Sequence, residues 1–265
     1  MSRDLASLAW LVEMGADEAI AAAPVDRLAG PAKAEARSAV IPPAPTAPRP
    51  AAIAGGSAEA ASSARTLAAA ATSLAELEAT VRGFEGCGLK TTATNTVFSD
   101  GVPGARVMFV GEAPGADEDR LGRPFVGVSG QLLDRMVHWI GLDRQTNFYI
   151  ANVIYWRPPG NRTPTTGEIA ICLPFIQRQI ELAAPEILVF LGASAAHALL
   201  GTTGAISRLR GRWLAYETPG LGRSVQALAT FHPAYLLRSP AQKRESWRDL
   251  LMIKNKLTAE ANELK

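Results

Sequence analysis

The later part of the chain alternates between short apolar runs and helical patterns. Runs of strand length, rich in β-branched and other apolar residues, lie at 106–110, 148–151, 187–190 and 225–230. Helical patterns separate them, and a last helix is expected over 240–257. Strands that are separated by helices run parallel in one sheet, because each helix returns the chain to the starting edge. The sequence therefore predicts an α/β fold, a three-layer α/β/α sandwich with a central, mostly parallel sheet.

Ahead of this region the composition changes twice. Residues 1–30 contain leucines at helical spacing, which predicts an amphipathic helical segment that docks on the domain or binds another protein. Residues 31–65 hold 13 Ala and 6 Pro, too few large apolar groups to repay ordering, and are predicted to be a disordered linker. The domain is then expected over 66–265, with its first capping-box pattern at Ser73.

Charge and cysteine content limit the classes of protein. Residues 84–265 carry 20 Lys and Arg against 16 Asp and Glu, whereas residues 1–83 carry 7 against 9. The mild positive excess on the later part permits a polyanionic partner without requiring one. Two cysteines, no apolar run of membrane-spanning length and the early acidic residues Asp4 and Glu13 predict a cytoplasmic protein with no membrane partner.

A loop of unusual composition follows each predicted strand. The four loops contain GEAPGADED, NVIYWRPPGNRTP, LGASAA and FHPAYLLR. None of them is a dinucleotide fingerprint or a lysine-containing phosphate loop, which disfavours a nucleotide cofactor. Taken singly, Asn152 is typical of a loop cap and His232 of a structural histidine. Because ligands bind at the carboxyl ends of parallel strands, we expect the four loops to form one site.

One further loop, GRPFVGVSGQLL over 122–133, places Phe125 among three glycines. Glycines let one backbone segment approach another, or a ligand, closely. A phenylalanine held on such a loop either packs into the core or offers one face of its ring. The loop alone leaves both readings open.

Three motifs in order carry a family resemblance: GEAPGADEDRLGRPFVGVSGQLLDRM, NVIYWRPPGNRTP and HPAYLLR. Over residues 83–257 the chain resembles the uracil-DNA glycosylase superfamily, specifically its family 4. The resemblance implies a monofunctional DNA repair enzyme that hydrolyses the N-glycosidic bond of a flipped-out uracil and leaves an abasic site. The alternative is a weakened lesion-binding protein of the same fold. A monomer is expected.

The resemblance also assigns roles around the base. Phe125 stacks on uracil, Asn152 reads its edge, and His232 donates a hydrogen bond to its O2. Gly111 and Ala113 also border the base, and Ala113 stands where other branches of the superfamily carry the water-activating Asp. Activation of the water is therefore assigned to Glu112 first and to Asp117 second.

Contacts to DNA are implied by the last motif and by basic residues elsewhere. Leu236 lies four residues after the histidine, at the position of the wedge that fills the vacated base stack, and Arg238 is placed as a phosphate contact. Further phosphate contacts are assigned to Arg157, Arg162, Arg210 and Lys243. For these four, a solvated basic face is an equal alternative.

The cysteines depart from the family pattern. Family 4 members hold a [4Fe–4S] cluster with four cysteines, and only Cys87 and Cys172 occupy those positions here. Phe84 and Trp156 stand at the other two. Two thiolates cannot saturate a cubane cluster, so no cluster and no other metal are expected. The loop after the asparagine motif also lacks the histidine through which a related branch bonds covalently to DNA, so covalent trapping is not expected.

Overall fold

The computed structural model describes the backbone of residues 54–263 and the side chains of residues 57–259. The predicted segment 1–30 and most of the predicted linker, 31–53, lie outside the described residues. Within the described part, no helix is long and apolar enough to cross a membrane.

A six-stranded mixed sheet forms the centre of the domain. Its strands are β1 (Ser99–Gly101), β2 (Val107–Gly111), β3 (Phe148–Asn152), β4 (Ile187–Leu191), β5 (Trp213–Tyr216) and β6 (Val225–Thr230). Their order is β1-β3-β2-β4-β6-β5; the four inner strands are parallel, and both edge strands pair antiparallel. The four predicted strands are these inner strands, so the mostly parallel sheet is confirmed.

Helices connect and cover the strands. They are α1 (Ala54–Ala70), α2 (Leu74–Gly83), α3 (Ala116–Leu121), α4 (Val128–His138), α5 (Thr166–Ala183), α6 (Ala193–Leu200), α7 (Ile206–Leu209), α8 (Pro233–Arg238) and α9 (Lys243–Glu263). The predicted caps are present: Ser73 Oγ accepts from the Glu76 N–H, and Thr165 and Glu168 cap each other reciprocally.

The helices lie on both faces of the sheet. Alternate side chains of β2 show this: Met108 and Val110 face a core shared with α1, α2, α5 and α6. Val107 and Phe109 face a second core, to which α4 and α9 contribute. The inner strands are buried on both faces, which explains their nearly continuous apolar sequences. The α/β sandwich is therefore confirmed.

The disordered linker predicted over 31–65 is wrong for residues 54–65, which belong to α1. Alanine has the highest helix propensity, and the small side chains of Ala64 and Ala68 are buried where α1 packs along α5. The Arg178 guanidinium donates two 3.0 Å hydrogen bonds to the Ala71 carbonyl just beyond the helix. An alanine-rich composition therefore builds a close helix contact here, and the folded domain extends back to residue 54.

The carboxyl ends of the parallel strands meet at one edge of the sheet. The register pairs Gly111 at the end of β2 with Asn152 at the end of β3. Beyond these residues the Val153 N–H donates to the Gly111 carbonyl at 2.9 Å. On the other side, the Gly192 N–H after β4 donates to the Thr230 carbonyl of β6 at 2.9 Å. These bonds hold the loops after four strands beside one another.

Candidate active site

A cavity of about 520 Å³ opens at this edge. Its lining comes from four segments that are distant in the chain: Glu112–Gly115 with Glu118, Phe125 with Ser129, Asn152 with 158 and 161–164, and His232 with Ala234, Tyr235 and Arg238. Three of the four loops predicted to form one site are thus present, whereas the loop LGASAA after β4 contributes no residue to this lining. Of the residues implied by the resemblance, the structure brings Phe125, Asn152, His232 and Glu112 together here. Ala113, Arg162 and Arg238 also line this cavity.

Phe125 owes its position to the glycines around it. Its φ of 54° lies in the left-handed region, which costs a residue other than glycine about 1–2 kcal/mol. A Cβ on Gly130 would lie 1.9 Å from the Phe125 carbonyl oxygen, and one on Gly111 would lie 2.5 Å from the Phe125 ring. Gly130 cannot be replaced without moving the loop, and a side chain at Gly111 would displace the Phe125 ring or the Asn152 amide. The ring lies 5.7 Å from the His232 ring, centroid to centroid, and one side of it borders the cavity.

Asn152 presents an unsatisfied acceptor. The residue is 1% exposed, and its Oδ1 has no hydrogen-bond partner among the described residues. A buried amide oxygen without a partner costs about 1–3 kcal/mol. A Cβ on Gly111 would lie 2.4 Å from this Oδ1, so the glycine leaves room for the amide at the end of the neighbouring strand. An acceptor kept unpaired at the wall of a cavity is available to a ligand's N–H group.

His232 is a neutral donor. Its Nδ1 accepts a 3.1 Å hydrogen bond from the Ala234 N–H, which leaves the ring proton on Nε2. Burial, and after it the positive charge of Arg238, lower the pKa of His232 to about 4, against an opposing effect of Glu118. At neutral pH the imidazole is therefore uncharged, with one N–H to offer the cavity.

Three carboxylates near the cavity differ in position. Burial raises the pKa of Glu112, which lines the cavity, and a hydrogen bond from Ser194 partly offsets the rise. Asp117 is not part of the lining; its half-exposed carboxylate pairs with Arg120 at 3.2 Å. The second assignment of the sequence analysis is thereby corrected: one position along α3, Glu118 turns inward instead.

Glu118 was missed by the sequence analysis. Its Oε1 accepts from the Val126 and Gly127 N–H groups, both at 2.9 Å, and its Oε2 accepts from the Gly115 N–H at 3.1 Å. The carboxylate thus ties the first motif to the Phe125 loop. The available signal was its place three residues after the helix-capping glycine, where a glutamate reaches back to the cap.

The basic residues separate into two groups. Arg238 and Arg162 line the cavity, and Arg162 also pairs with Glu168 at 2.6 Å. Arg157 lies next to the cavity, since its guanidinium donates a 2.7 Å hydrogen bond to Asn161 of the lining. Arg210 is different. Its guanidinium is bonded to Glu245 and Asp249, so its assignment as a phosphate contact is corrected to a structural ion pair.

In the motif HPAYLLR, the exposed leucine is not the one that the sequence analysis chose as the wedge. Leu236 is 1% exposed and packs in a cluster with Leu132 and Phe231, whereas Leu237 is 40% exposed. Adjacent positions on a helix differ by about 100° in direction, so counting along the sequence alone does not identify the outward leucine. The assignment of Leu236 as an exposed wedge is therefore corrected, since Leu237 is the leucine on the surface.

The region of the two cysteines is a packed core. Cys87 and Cys172 are both buried and hydrogen-bonded to each other. Phe84 meets Phe175 edge to face at 5.0 Å, and the buried Trp156 donates from Nε1 to Thr96 at 3.0 Å. Among the described residues, no three metal-binding side chains lie close enough to hold one ion.

The buried His232 makes stability depend on pH. An unfolded histidine titrates near 6.5 and this one at about 4, so between these values protons bind preferentially to the unfolded chain. Between pH 7 and pH 4 the free energy of unfolding should therefore fall by about 3 kcal/mol more in the wild type than in His232→Gln. Urea unfolding at several pH values measures this, and parallel curves for the two proteins would contradict it.

Comparison with known proteins identifies the family. The family model "Uracil DNA glycosylase superfamily" matches residues 98–251. The Type-4 uracil-DNA glycosylase of Pyrobaculum aerophilum is 38% identical over 181 residues, 68% of this chain and 92% of the relative. Those of Archaeoglobus fulgidus and Thermotoga maritima are each 42% identical, over 63% and 60% of this chain and 84% and 80% of theirs. The match covers more than half of the chain and includes every loop of the cavity, so this chain belongs to the uracil DNA glycosylase superfamily.

Proposed function

We propose that this chain is a monofunctional uracil-DNA glycosylase, which hydrolyses the N-glycosidic bond of a uracil flipped out of DNA and leaves an abasic site. The observation that carries the proposal is the unpartnered Oδ1 of Asn152 in a cavity that also contains the Phe125 ring and His232. Similarity to Type-4 uracil-DNA glycosylases supports the same activity.

Recognition of uracil follows from the amide. Uracil offers an N–H at N3 and a carbonyl at O4, which match the Oδ1 acceptor and the Nδ2 donor of Asn152. Cytosine has a lone pair at N3 and an amino group at C4. The N3 acceptor would then face the Oδ1 acceptor, and the amino donor would face the Nδ2 donor. A buried mismatch of this sort costs about 1–3 kcal/mol for each unpaired group. The Phe125 ring covers the face of the base and adds affinity without distinguishing pyrimidines.

Bond cleavage is assisted by His232. As the bond between N1 and C1′ breaks, its electron pair moves into the uracil ring and the sugar becomes positively charged. A hydrogen bond from Nε2–H of His232 to O2 stabilises the developing anion in a site shielded from water. The imidazole keeps its proton as a donor, because its pKa of about 4 leaves it neutral at the pH of the cell.

Water is activated by Glu112. Its partly buried carboxylate, with a raised pKa, accepts a proton from a water molecule whose oxygen bonds to C1′. This proton then passes through solvent to the departing uracil anion, which regenerates the Glu112 carboxylate. The products are free uracil and an abasic sugar, and the strand stays intact. Arg238 and Arg162 at the rim hold phosphates, and the exposed Leu237 fills the gap left in the base stack.

The family's iron–sulfur cluster does not fit the residues present. Two of the four ligand positions are occupied by Phe84 and Trp156. The Phe84 ring packs against Phe175, and the Trp156 indole donates a hydrogen bond to Thr96. The remaining thiols, Cys87 and Cys172, provide half of the required ligands. In this proposal, aromatic packing replaces the cluster as the link between α2 and the sheet.

Glycosylase activity is tested with an oligonucleotide that contains a single uracil, followed by alkali to cut abasic sites. Scission is expected with uracil and none with a matched thymine strand. Glu112→Gln should slow excision by roughly 10²- to 10⁴-fold and remove the fall in rate at acid pH, because no carboxylate is left to protonate. Asp117→Asn, altering the carboxylate outside the cavity, should retain the wild-type rate.

The outcomes separate the two candidate functions. Binding of the uracil strand by the protein without scission would support the lesion-binding alternative and contradict the proposed enzyme activity. Equal losses in Glu112→Gln and Asp117→Asn would contradict the assignment of the base.

The two leucines should respond differently to truncation. Leu237→Ala should slow excision from double-stranded DNA more than from single strands, because only a duplex has a stack to refill, and should leave the melting temperature unchanged. Leu236→Ala should instead lower the free energy of unfolding by about 2–5 kcal/mol, since it opens a space in a buried cluster. Excision assays on both substrates and urea unfolding measure these effects. If Leu236→Ala instead slowed excision from duplex DNA and Leu237→Ala lowered the stability, Leu236 would be the wedge.

Independence from iron is checked on the purified protein. Protein prepared in air without added iron should be colourless, and its melting temperature should be the same with and without an iron chelator. Visible absorption, metal analysis and thermal unfolding provide the measurements. A brown protein with about four irons per chain would overturn this part of the proposal.

A further inference from the structure

The Phe125 loop is held from behind by a residue that lies outside the cavity lining. Arg144, in the connection between α4 and β3, donates from Nη1 to the Pro124 carbonyl at 2.7 Å and from Nη2 to the Phe125 carbonyl at 2.8 Å. These two successive carbonyls enter and leave the residue whose φ is 54°. The guanidinium therefore holds the loop at Phe125, a left-handed position occupied by a residue other than glycine.

Arg144 is itself fixed by two carboxylates. Its guanidinium lies 3.1 Å from Asp100 Oδ2 in β1 and 2.9 Å from Asp134 Oδ1 in α4, and its side chain is only 14% exposed. The planar group thus uses separate N–H directions for two carbonyls and two carboxylates. A lysine ammonium, with three rotating donors and no plane, cannot make the same set of contacts.

From this geometry we infer that Arg144 is a positioning residue for base recognition, which acts through the ring of Phe125. The inference rests on the proposed function. Glu118 holds the N–H groups that follow Phe125, at Val126 and Gly127, and Arg144 holds the carbonyls that precede and follow its side chain. With Arg144 in place the ring faces the cavity before any base arrives, so binding does not have to order the loop.

A merely structural ion pair would have a different signature. If Arg144 acts only by stabilising the fold, its loss slows excision no more than the loss of another largely buried arginine that pairs with a carboxylate and a backbone carbonyl. Arg178 is the matched control: it donates to the Ala71 carbonyl, pairs with Glu181 at 2.9 Å and lies on α5, away from the cavity. If Arg144 acts through Phe125, its effect vanishes once the ring has been removed.

The experiment compares Arg144→Met, Arg144→Lys, Phe125→Ala, the double variant Arg144→Met/Phe125→Ala and Arg178→Met. Excision is measured as kcat/KM on a single-stranded oligonucleotide with one uracil, and the melting temperature is recorded for each protein. Arg144→Met should lower kcat/KM by roughly 10- to 100-fold, and Arg144→Lys should recover part of the loss. In the Phe125→Ala background, Arg144→Met should change kcat/KM by less than about twofold, and Arg178→Met should stay within about twofold of the wild type.

Each outcome decides the inference. The inference is overturned if Arg144→Met lowers kcat/KM by the same factor with and without Phe125→Ala. It is also overturned if Arg144→Met lowers kcat/KM no more than Arg178→Met does. If Arg144→Met does not fold, Arg144→Lys with and without Phe125→Ala gives the same comparison.

Failure of the proposed function is recognised separately. If the wild type excises nothing, affinity for the uracil strand relative to a thymine strand replaces kcat/KM in the same cycle. A uracil preference that depends on Arg144 only while Phe125 is present supports the inference, and a preference unchanged by Arg144→Met overturns it. A wild type with neither excision nor uracil preference overturns the proposed function and the inference together.

Discussion

The parallel pairing of β2 with β3 sets the positions of the groups in the cavity. The register places Gly111 opposite Asn152, and the missing side chain of the glycine leaves the space that the amide oxygen and the Phe125 ring share. A methyl group at Gly111 would lie within 2.5 Å of both. Each strand end therefore tolerates only a narrow choice of residues, because three chain segments meet there with no volume to spare.

The walls of the cavity are fixed by charged residues in its lining and behind it. On one side Arg144 and Glu118 hold the Phe125 loop through its carbonyl and N–H groups. On the other side, Thr230 at the end of β6 donates to the buried Asp249 at 2.7 Å, and Asp249 is paired with Arg210. In both arrangements the charged groups are paired with opposite charges or with backbone groups, and such pairing favours one conformation of the segments that they join. His232 lies two residues beyond Thr230, so the second arrangement also fixes the position of His232.

Sequence patterns were sufficient for the four inner strands, for the helices with explicit caps and for the residues at strand ends, whereas the short edge strands β1 and β5 were not predicted. Periodicity and burial on both faces are local properties of β2, β3, β4 and β6, and a parallel sheet brings their carboxyl ends together whatever the loops contain. Asn152, His232 and Glu112 could therefore be expected at one edge of the sheet, whereas Phe125, on the loop between α3 and α4, was placed there only by the family resemblance.

Two of the errors at the site share a physical cause. Leu236 and Leu237, like Asp117 and Glu118, are neighbours on short helices, where a shift of one position exchanges the inward and outward sides. Arg210 and Arg144 look like any surface arginine until their partners, distant in the chain, are known.

The alanine-rich helix α1 was missed for a different reason. Its contact with α5 depends on close approach of small side chains, and small side chains leave no hydrophobic periodicity to detect. Composition alone cannot separate such a helix from a disordered linker.

The two faces of the sheet carry separate tasks, which explains how one could change without the other. Phe84, Trp156 and both cysteines belong to the core beneath α1, α2 and α5, whereas Phe125 belongs to the core on the opposite face, with α4 and α9. In the proposed replacement of cluster ligands by Phe84 and Trp156, the residues concerned belong to the core on the first face only. The strands between the faces keep their register through backbone hydrogen bonds, which do not depend on side chains. The strand ends, and with them Asn152 and His232, therefore stay in place while the first core is rebuilt.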